Sequence, residues 1–408
     1  MKIAIDINEL TFTGTNGVKV YTQEIVNALG KIDAKNEYTL YANCRDAALL
    51  RLFGLDSKNF KLEAIKSRFP FWTYSKFPNQ LKKDQPDVLF MSIQSVPFFK
   101  KPRNIKIVVT VHDLAFLLFP EYFIVKDKFF LKLHTKRAVK MADEIIVPSE
   151  ATKKDIIKFY KIDESKITVV YHGITFYDKN IPCHSRGGGN PESSLKNVIL
   201  RRDDEESRDH FTQNSESVNI KNNFSSQTIA KINSPYILFV GVIQPRKNII
   251  RLIEAFEMVK ANNQELKLII VGKKGWQSDA IYKRAEESRF AKDIIFLGGV
   301  SNDHLDDLYR NALAFILPSL YEGFGMPVLE AMNYGIPCIV SDNSSLAEVS
   351  RDSALLIDAY NSSDIAEKIE LLYKNENLRK EFARKGAERA KSFNWEKAAE
   401  QTLKVFER

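Results

Sequence analysis

Cysteine is scarce in this chain: three in 408 residues, at Cys44, Cys183 and Cys338. Three widely spaced thiols build neither a disulfide framework nor a zinc site, and the pattern suits a reducing interior. Glycine (17) and proline (14) are too few for low-complexity architecture over most of the length. No run approaches the roughly 18 to 20 apolar residues that a membrane-spanning helix needs. The start, Met1-Lys2-Ile3-Ala4-Ile5-Asp6, sets an acid where a secretory leader needs its apolar stretch. These absences lead us to expect a soluble intracellular protein.

What is present is ordinary globular material, 44% hydrophobic and 27% charged, long enough for two or three domains. The net charge of +8 is unevenly placed. Residues 1–180 hold 29 Lys and Arg against 20 Asp and Glu, whereas the rest holds 31 against 32. The excess therefore sits in the first half and suggests that this half meets something acidic.

Both halves alternate strand and helix. Lys2–Asn8, Tyr38–Asn43, Lys61–Ile65, Asp87–Met91, Lys106–His112, Glu144–Pro148 and Ile167–Tyr171 read as strands, and Val18–Leu29 as an amphipathic helix. The second half repeats the scheme, with strands at Tyr236–Val240, Leu266–Val271, Ile294–Leu297, Ala314–Leu317 and Pro337–Val340. Its helices are Asn248–Ala261, Asp279–Glu287, Asp303–Asn311 and Pro327–Tyr334, with three more after about Ser363. The expected class is α/β, two Rossmann-like doubly wound domains in tandem. Between them, residues 183–233 hold 15 Ser and Asn, 14 charged residues and only 10 large apolar ones, and are read as a disordered insertion. The expected division is 1–179, 180–233 and 234–408, with the last helix, about 394–408, a candidate to pack back on the first domain.

Four strand ends carry chemistry. Pro318 to Met332 follows a buried strand and holds Glu322, Gly323, Phe324, Gly325, Met326, Pro327 and Glu330. Its glycines let backbone approach a ligand, and Pro327 pre-sets a helix whose N-terminus attracts anions. Val240-Gly241 to Asn248 places Arg246 and Lys247 at another helix start. Cations are unfavourable there unless an anion such as a diphosphate justifies them. His112 ends the strand Lys106–His112. The loop Gly14–Gly17 could cradle phosphate, but it lacks both G-x-G-x-x-G and the Walker pattern, so nicotinamide binding and triphosphatase activity find no support.

Glu322-Gly-Phe-Gly-Met-Pro-Val-Leu-Glu330 resembles the E-x7-E signature of retaining glycosyltransferases of family 4, which have the GT-B fold. The Gly17 loop, Val-His-Asp-Leu at His112, Val147-Pro148-Ser149-Glu150, Gly241 to Asn248, and Ser341 to Val349 also look like their counterparts in bacterial members. Among these the chain looks most like mannosyltransferases of lipopolysaccharide and O-antigen assembly.

The resemblance implies roles. Arg246 and Lys247 would hold the donor diphosphate and stabilise the leaving nucleoside diphosphate. Glu322, with the backbone of Phe324, Gly325 and Met326, would grip the donor sugar. Glu330 would accept from the ribose hydroxyls, and His112 would contact the sugar near the reacting centre. Gly17 would let the first loop approach the phosphates and acceptor, and Gly241 belongs to the donor loop. It further implies front-face retention, with the leaving phosphate taking the acceptor proton and no divalent metal or other cofactor required.

The implied partners are a nucleotide-diphosphate sugar, with mannose from GDP-mannose the expected hexose donor, and a lipid-linked or saccharide acceptor, with no nucleic acid. In this fold the first, basic domain binds the acceptor. There Lys126–Lys140 reads as a helix with Phe129, Phe130 and Leu133 near one face and Lys128, Lys132, Lys136 and Arg137 elsewhere. That pattern fits peripheral contact with an anionic membrane, expected at the inner face of the cytoplasmic membrane, and equally a core-facing helix with one solvated side. A nucleotide-sugar epimerase on the same fold, a two-lobed binding protein and an inactive relative remain alternatives.

Overall fold

A computed structural model describes residues 1–11, 16–44, 54–55, 57–67, 72–102, 104–174 and 234–408. The expected insertion at 180–233, with Cys183, and parts of the Gly14–Gly17 loop lie outside them.

Among the described residues the first half forms a parallel sheet of seven strands. They are β1 (Lys2–Asp6), β2 (Glu37–Ala42), β3 (Phe60–Ala64), β4 (Val88–Met91), β5 (Lys106–Thr110), β6 (Glu144–Val147) and β7 (Ile167–Val169), in the order β3-β2-β1-β4-β5-β6-β7. All four side chains of β4, Val88-Leu89-Phe90-Met91, are buried, as a strand covered by helices on both faces requires. The second half forms a parallel sheet of six: β8 (Tyr236–Val240), β9 (Lys267–Val271), β10 (Ile294–Gly298), β11 (Ala314–Leu317), β12 (Cys338–Ser341) and β13 (Leu355–Ile357), ordered β10-β9-β8-β11-β12-β13. The fold is the two-Rossmann arrangement anticipated above.

In both sheets the order reverses beside the first strand, between β1 and β4 and between β8 and β11. Loops leaving the carboxyl ends of such strands splay apart and open a crevice for ligands. The loop after β8 carries Arg246 and Lys247, and the loop after β11 carries Glu322. Residues 76 apart are thereby brought to one spot.

The last helix, Trp395–Glu407, packs on helix Gly17–Ile32 of the first half, where Trp395, Ala398 and Phe406 join the cluster of Tyr21, Ile25 and Phe90. Lys106 Nζ holds its end by donating to the Val405 carbonyl at 2.6 Å. Chain segments therefore cross between the halves twice. They touch at Gly173, where a Cβ would lie 2.4 Å from the Trp395 backbone nitrogen.

Four expectations shift locally. Strand β5 ends at Thr110, so His112 lies in the loop beyond, its N–H donating to Gln94 Oε1 at 3.1 Å. The helix after Glu322 begins at Met326, with Pro327 second, because Gly325 at φ +97° takes the capping turn. Arg246 and Lys247 occupy a 3-10 turn of their own, Pro245–Lys247, since Asn248 at φ 61° breaks it from helix Ile249–Lys260. Strand β13 was not anticipated, being only three residues long.

Candidate active site

Lys247 Nζ lies 2.5 Å from Glu322 Oε1, and Arg246 Nη1 lies 3.3 Å from Glu322 Oε2. Arg246 Nη1 also donates to the Tyr321 carbonyl. Glu322 and Lys247 are only 7% and 8% exposed. Burial alone would raise the Glu322 carboxyl pKa, but the two cations overcome it and hold it down at about 2. The anion that justifies two cations at this turn is thus, in part, a carboxylate of the chain itself. One donor remains unspent: Arg246 Nε is buried without an acceptor.

The backbone around Glu322 is fixed from its own half. Its N–H donates to Ser344 Oγ at 3.1 Å, and Ser345 Oγ donates to its carbonyl at 2.9 Å. Asn248, behind the cations, donates from Nδ2 to the carbonyls of Pro318 and Ala359 at 3.0 and 2.6 Å. Glycine is required at two places. A Cβ on Gly325, already at positive φ, would sit 2.6 Å from Leu346 Cδ2, and one on Gly323 would sit 2.1 Å from the His112 carbonyl oxygen. Gly241 is less confined, its nearest neighbours for a Cβ being Phe239 at 3.5 Å and Lys247 Cε at 3.6 Å.

The first half closes over this loop. His112 Nε2 lies 2.8 Å from the Ser92 carbonyl, which can only accept, so Nε2 carries the proton and Nδ1 keeps its lone pair. Burial lowers the His112 pKa, favouring the neutral ring. Gly17 opens helix Gly17–Ile32, and a Cβ there would come within 2.9 Å of Met326 Cε. Phe324 turns its ring toward the first half, 4.6 Å from the His172 ring. Glu330, inside helix Met326–Asn333, has Oε2 held by the Tyr309 hydroxyl at 2.8 Å. The structure therefore brings Glu322, Arg246, Lys247, Gly17, Met326 and the His112 backbone to one cleft, and sets Glu330 one helix turn behind.

Several residues at the cleft were given no role from sequence. Tyr321 donates to Asp155 Oδ2 at 2.6 Å, and Ser149 Oγ donates to the Gly323 carbonyl at 2.8 Å. Glu348 accepts from the N–H groups of Glu150 and Ala151 and from the Tyr171 hydroxyl. Ser149 and Glu348 lay inside stretches that resemble the family, which was the available signal. His172 is buried with neither ring nitrogen partnered, among Tyr21, Phe324 and Trp395. Nothing in a lone strand-end His-Gly pair marked it.

The basic helix, Val125–Met141, corrects part of the expectation. Its buried residues are Thr135, Ala138 and Val139, whereas Val125, Phe129, Phe130 and Leu133 are exposed, Val125 and Phe129 to 75% and 64%. Lys132 and Lys136 project to solvent. Arg137 turns inward instead, donating to the Pro97 and Phe99 carbonyls and covering the Phe98 ring, and Lys128 reaches the Pro120 carbonyl at 3.5 Å. Both side chains are half-buried, with their charged ends turned toward these carbonyls. No helix among the described residues is long and apolar enough to cross a membrane, and no group of three or more His, Cys, Asp or Glu there could hold a metal ion.

Two parallel sheets, with a buried carboxylate clamped by two cations at the strand ends of the second, are the frame in which this chain resembles known proteins. Residues 15–176 match the model of Glycosyltransferase Family 4, and residues 221–389 that of Glycosyl transferases group 1. Between them the two models span most of the chain, which belongs to this glycosyltransferase family. It is 34% identical over 172 residues to O-antigen chain mannosyltransferase B of Escherichia coli, covering 42% of this chain and 45% of that one. To O-antigen chain mannosyltransferase RfbU of Salmonella typhimurium it is 27% identical over 250 residues, covering 61% and 56%. The chain spans about half the length of these two curated relatives. Among solved structures, sucrose-phosphate synthase from Thermosynechococcus elongatus superposes with a TM-score of 0.70 at 16% identity, covering 100% of this chain and 98% of that one. Anabaena Alr3699/HepE, solved with UDP and glucose, superposes with a TM-score of 0.67 at 14% identity, covering 100% and 99%. At these identities the superpositions speak to the fold.

Proposed function

We propose that the chain is a retaining glycosyltransferase that takes a hexose from a nucleotide diphosphate donor, mannose from GDP-mannose, to a lipid-linked or saccharide acceptor of cell-envelope polysaccharide. The observation that carries the reading is the clamp of Lys247 and Arg246 on Glu322 at the mouth of the cleft. A diphosphate arriving beside Lys247 and Arg246 meets two cations and the N-terminus of helix Met326–Asn333. Glu322, kept ionised, accepts hydrogen bonds from the sugar hydroxyls, together with the backbone of Phe324, Gly325 and Met326. Glu330 accepts from the ribose. Mannose is favoured by the likeness to O-antigen chain mannosyltransferases.

In the step itself the acceptor hydroxyl oxygen bonds to the anomeric carbon on the face from which the phosphate leaves. The bond from that carbon to the phosphate oxygen breaks, and the leaving phosphate takes the acceptor proton. Arg246 and Lys247 neutralise the charge that develops on the diphosphate, so the step proceeds without a divalent metal. His112, neutral and held by Ser92, faces the sugar from the first half, and Gly17 leaves room for the phosphates and acceptor. Helix Val125–Met141 supplies the surface toward an anionic bilayer at the inner face of the cytoplasmic membrane, through its exposed apolar row beside Lys132 and Lys136.

The test is incubation with GDP-mannose, UDP-glucose or ADP-glucose, with and without an envelope lipid extract, in the presence of a chelator. The reading expects lipid-dependent release of GDP and an α-linked product despite the chelator. A C2-epimerised donor formed without acceptor would establish the epimerase instead, and binding without turnover a binding protein or inactive relative.

A further inference from the structure

Helix Glu150–Tyr160 of the first half touches the donor loop of the second at three points, and none of its residues belongs to the substrate-binding set proposed above. Ser149, at its N-cap and fully buried, accepts from the Thr152 N–H at 3.1 Å and donates to the Gly323 carbonyl at 2.8 Å. Thr152 Oγ1 lies 3.4 Å from the same carbonyl. One turn on, Asp155 Oδ2 accepts from the Tyr321 hydroxyl at 2.6 Å. The N-terminus of the helix is closed by a carboxylate from the other half, Glu348, which accepts from Glu150 N at 2.9 Å and Ala151 N at 3.3 Å.

Glu348 and the two serines that fix the Glu322 backbone, Ser344 and Ser345, lie in one helix, Ser344–Ser350. The peptide at Gly323 is wedged from the other side by the His112 carbonyl, where a Cβ would be 2.1 Å away. Residues 321 and 323 are thus held by the first half, while residue 322, between them, presents its carboxylate to Lys247 and Arg246.

We propose that Ser149 is a positioning residue for Glu322, docking the Gly323 carbonyl so that the donor loop takes its productive shape only when the two halves are closed. Asp155 and Glu348 complete the latch. The inference rests on the glycosyltransferase reading for its catalytic consequence and on the contacts alone for its structural one. Donor binds to the second half, so the latch governs turnover rather than donor affinity. A misplacement of an ångström or less at a reacting centre costs rate steeply.

Ser149→Gly and Ser149→Ala separate latching from capping. Glycine keeps most of the N-cap propensity, alanine loses it, and neither can reach Gly323. Both variants are expected to lower kcat about tenfold or more, with donor KM changed less than about twofold. In Ser149→Gly the melting temperature stays near that of the parent, and amide hydrogen exchange over residues 320–325 speeds up without any substrate present. Glu348→Gln is expected to shift kcat and exchange in the same direction by less. If Ser149→Gly keeps parental kcat and exchange while Ser149→Ala loses both with its stability, Ser149 only caps its helix and the proposal falls. Should the parent transfer no sugar at all, the glycosyltransferase reading fails, and the exchange measurement still decides the latch.

Discussion

Lys247 and Glu322, 75 residues apart in the chain, meet at 2.5 Å because their loops leave the two strands, β8 and β11, between which the second sheet reverses its order. Both side chains are almost wholly buried, so each needs the other. Lys247→Met leaves Glu322 with Arg246 alone and is expected to cost about 3 kcal/mol, the low end for a broken buried pair. Thermal unfolding checks this. Lys247→Met/Glu322→Gln should recover most of that stability and none of the donor binding, which separates folding from function.

Acid should weaken the same pair. The folded pKa of Glu322, about 2, is depressed from 4.5, so its contribution is fully present above pH 4.5 and is lost as pH falls through 2. Asp6, at the end of β1, runs the opposite way, because burial raises it from 3.8 to about 7. The folded state prefers Asp6 protonated, so stability falls as pH rises from about 4 to 7, by up to about 4 kcal/mol. Asp6→Asn is expected to raise the melting temperature at pH 8 and change it little at pH 4. Equal gains at both values would contradict the burial argument.

Two glycines face across the cleft and should respond differently. At Gly323 the obstacle to a Cβ is backbone, the His112 carbonyl, which cannot step aside. At Gly17 it is the mobile end of the Met326 side chain, 2.9 Å away. Gly323→Ala is expected to push the halves apart, enlarging the radius of gyration in small-angle scattering and lowering turnover about a hundredfold, as an ångström-scale misplacement does. Gly17→Ala should change turnover by only a few-fold.

The exposed row on helix Val125–Met141 predicts lipid binding. Sedimentation with phosphatidylglycerol vesicles should carry the protein down, and phosphatidylcholine vesicles should not. Phe129→Ser/Phe130→Ser and Lys132→Glu/Lys136→Glu should each release it without lowering the melting temperature, since none of the four side chains is buried. Self-association through the row, visible as a dimer by light scattering without lipid, would contradict the membrane assignment.

Much of this was legible in the residues. Short β-branched and aromatic runs such as Val88–Met91 and Tyr236–Phe239 read as covered parallel strands, and Gly323, Gly325 and Pro327 marked a backbone built for close approach. The clamp was half legible. Arg246 and Lys247 called for an anion, but only the sheet order shows that Glu322 supplies one. Contacts between the halves were not legible at all. Ser149 with Gly323, Tyr321 with Asp155 and Glu348 with the turn at Glu150 join residues some 170 to 200 apart, and no local period encodes such pairs. The direction of Phe129 was equally hidden, because a helix with apolar residues on one face reads the same whether that face meets core or lipid.

The central claim is that the cations flanking Glu322 receive a nucleotide diphosphate, and titration calorimetry tests it most directly. GDP, UDP and ADP, with and without their sugars, are titrated into the parent protein and into Lys247→Ala. The account predicts saturable one-to-one binding of at least one of them, GDP foremost, weakened at least tenfold by Lys247→Ala, as loss of a charge-assisted hydrogen bond of about 1.5 to 3 kcal/mol requires. Absence of heat and of thermal stabilisation with every nucleotide, or binding that Lys247→Ala leaves unchanged, would contradict it.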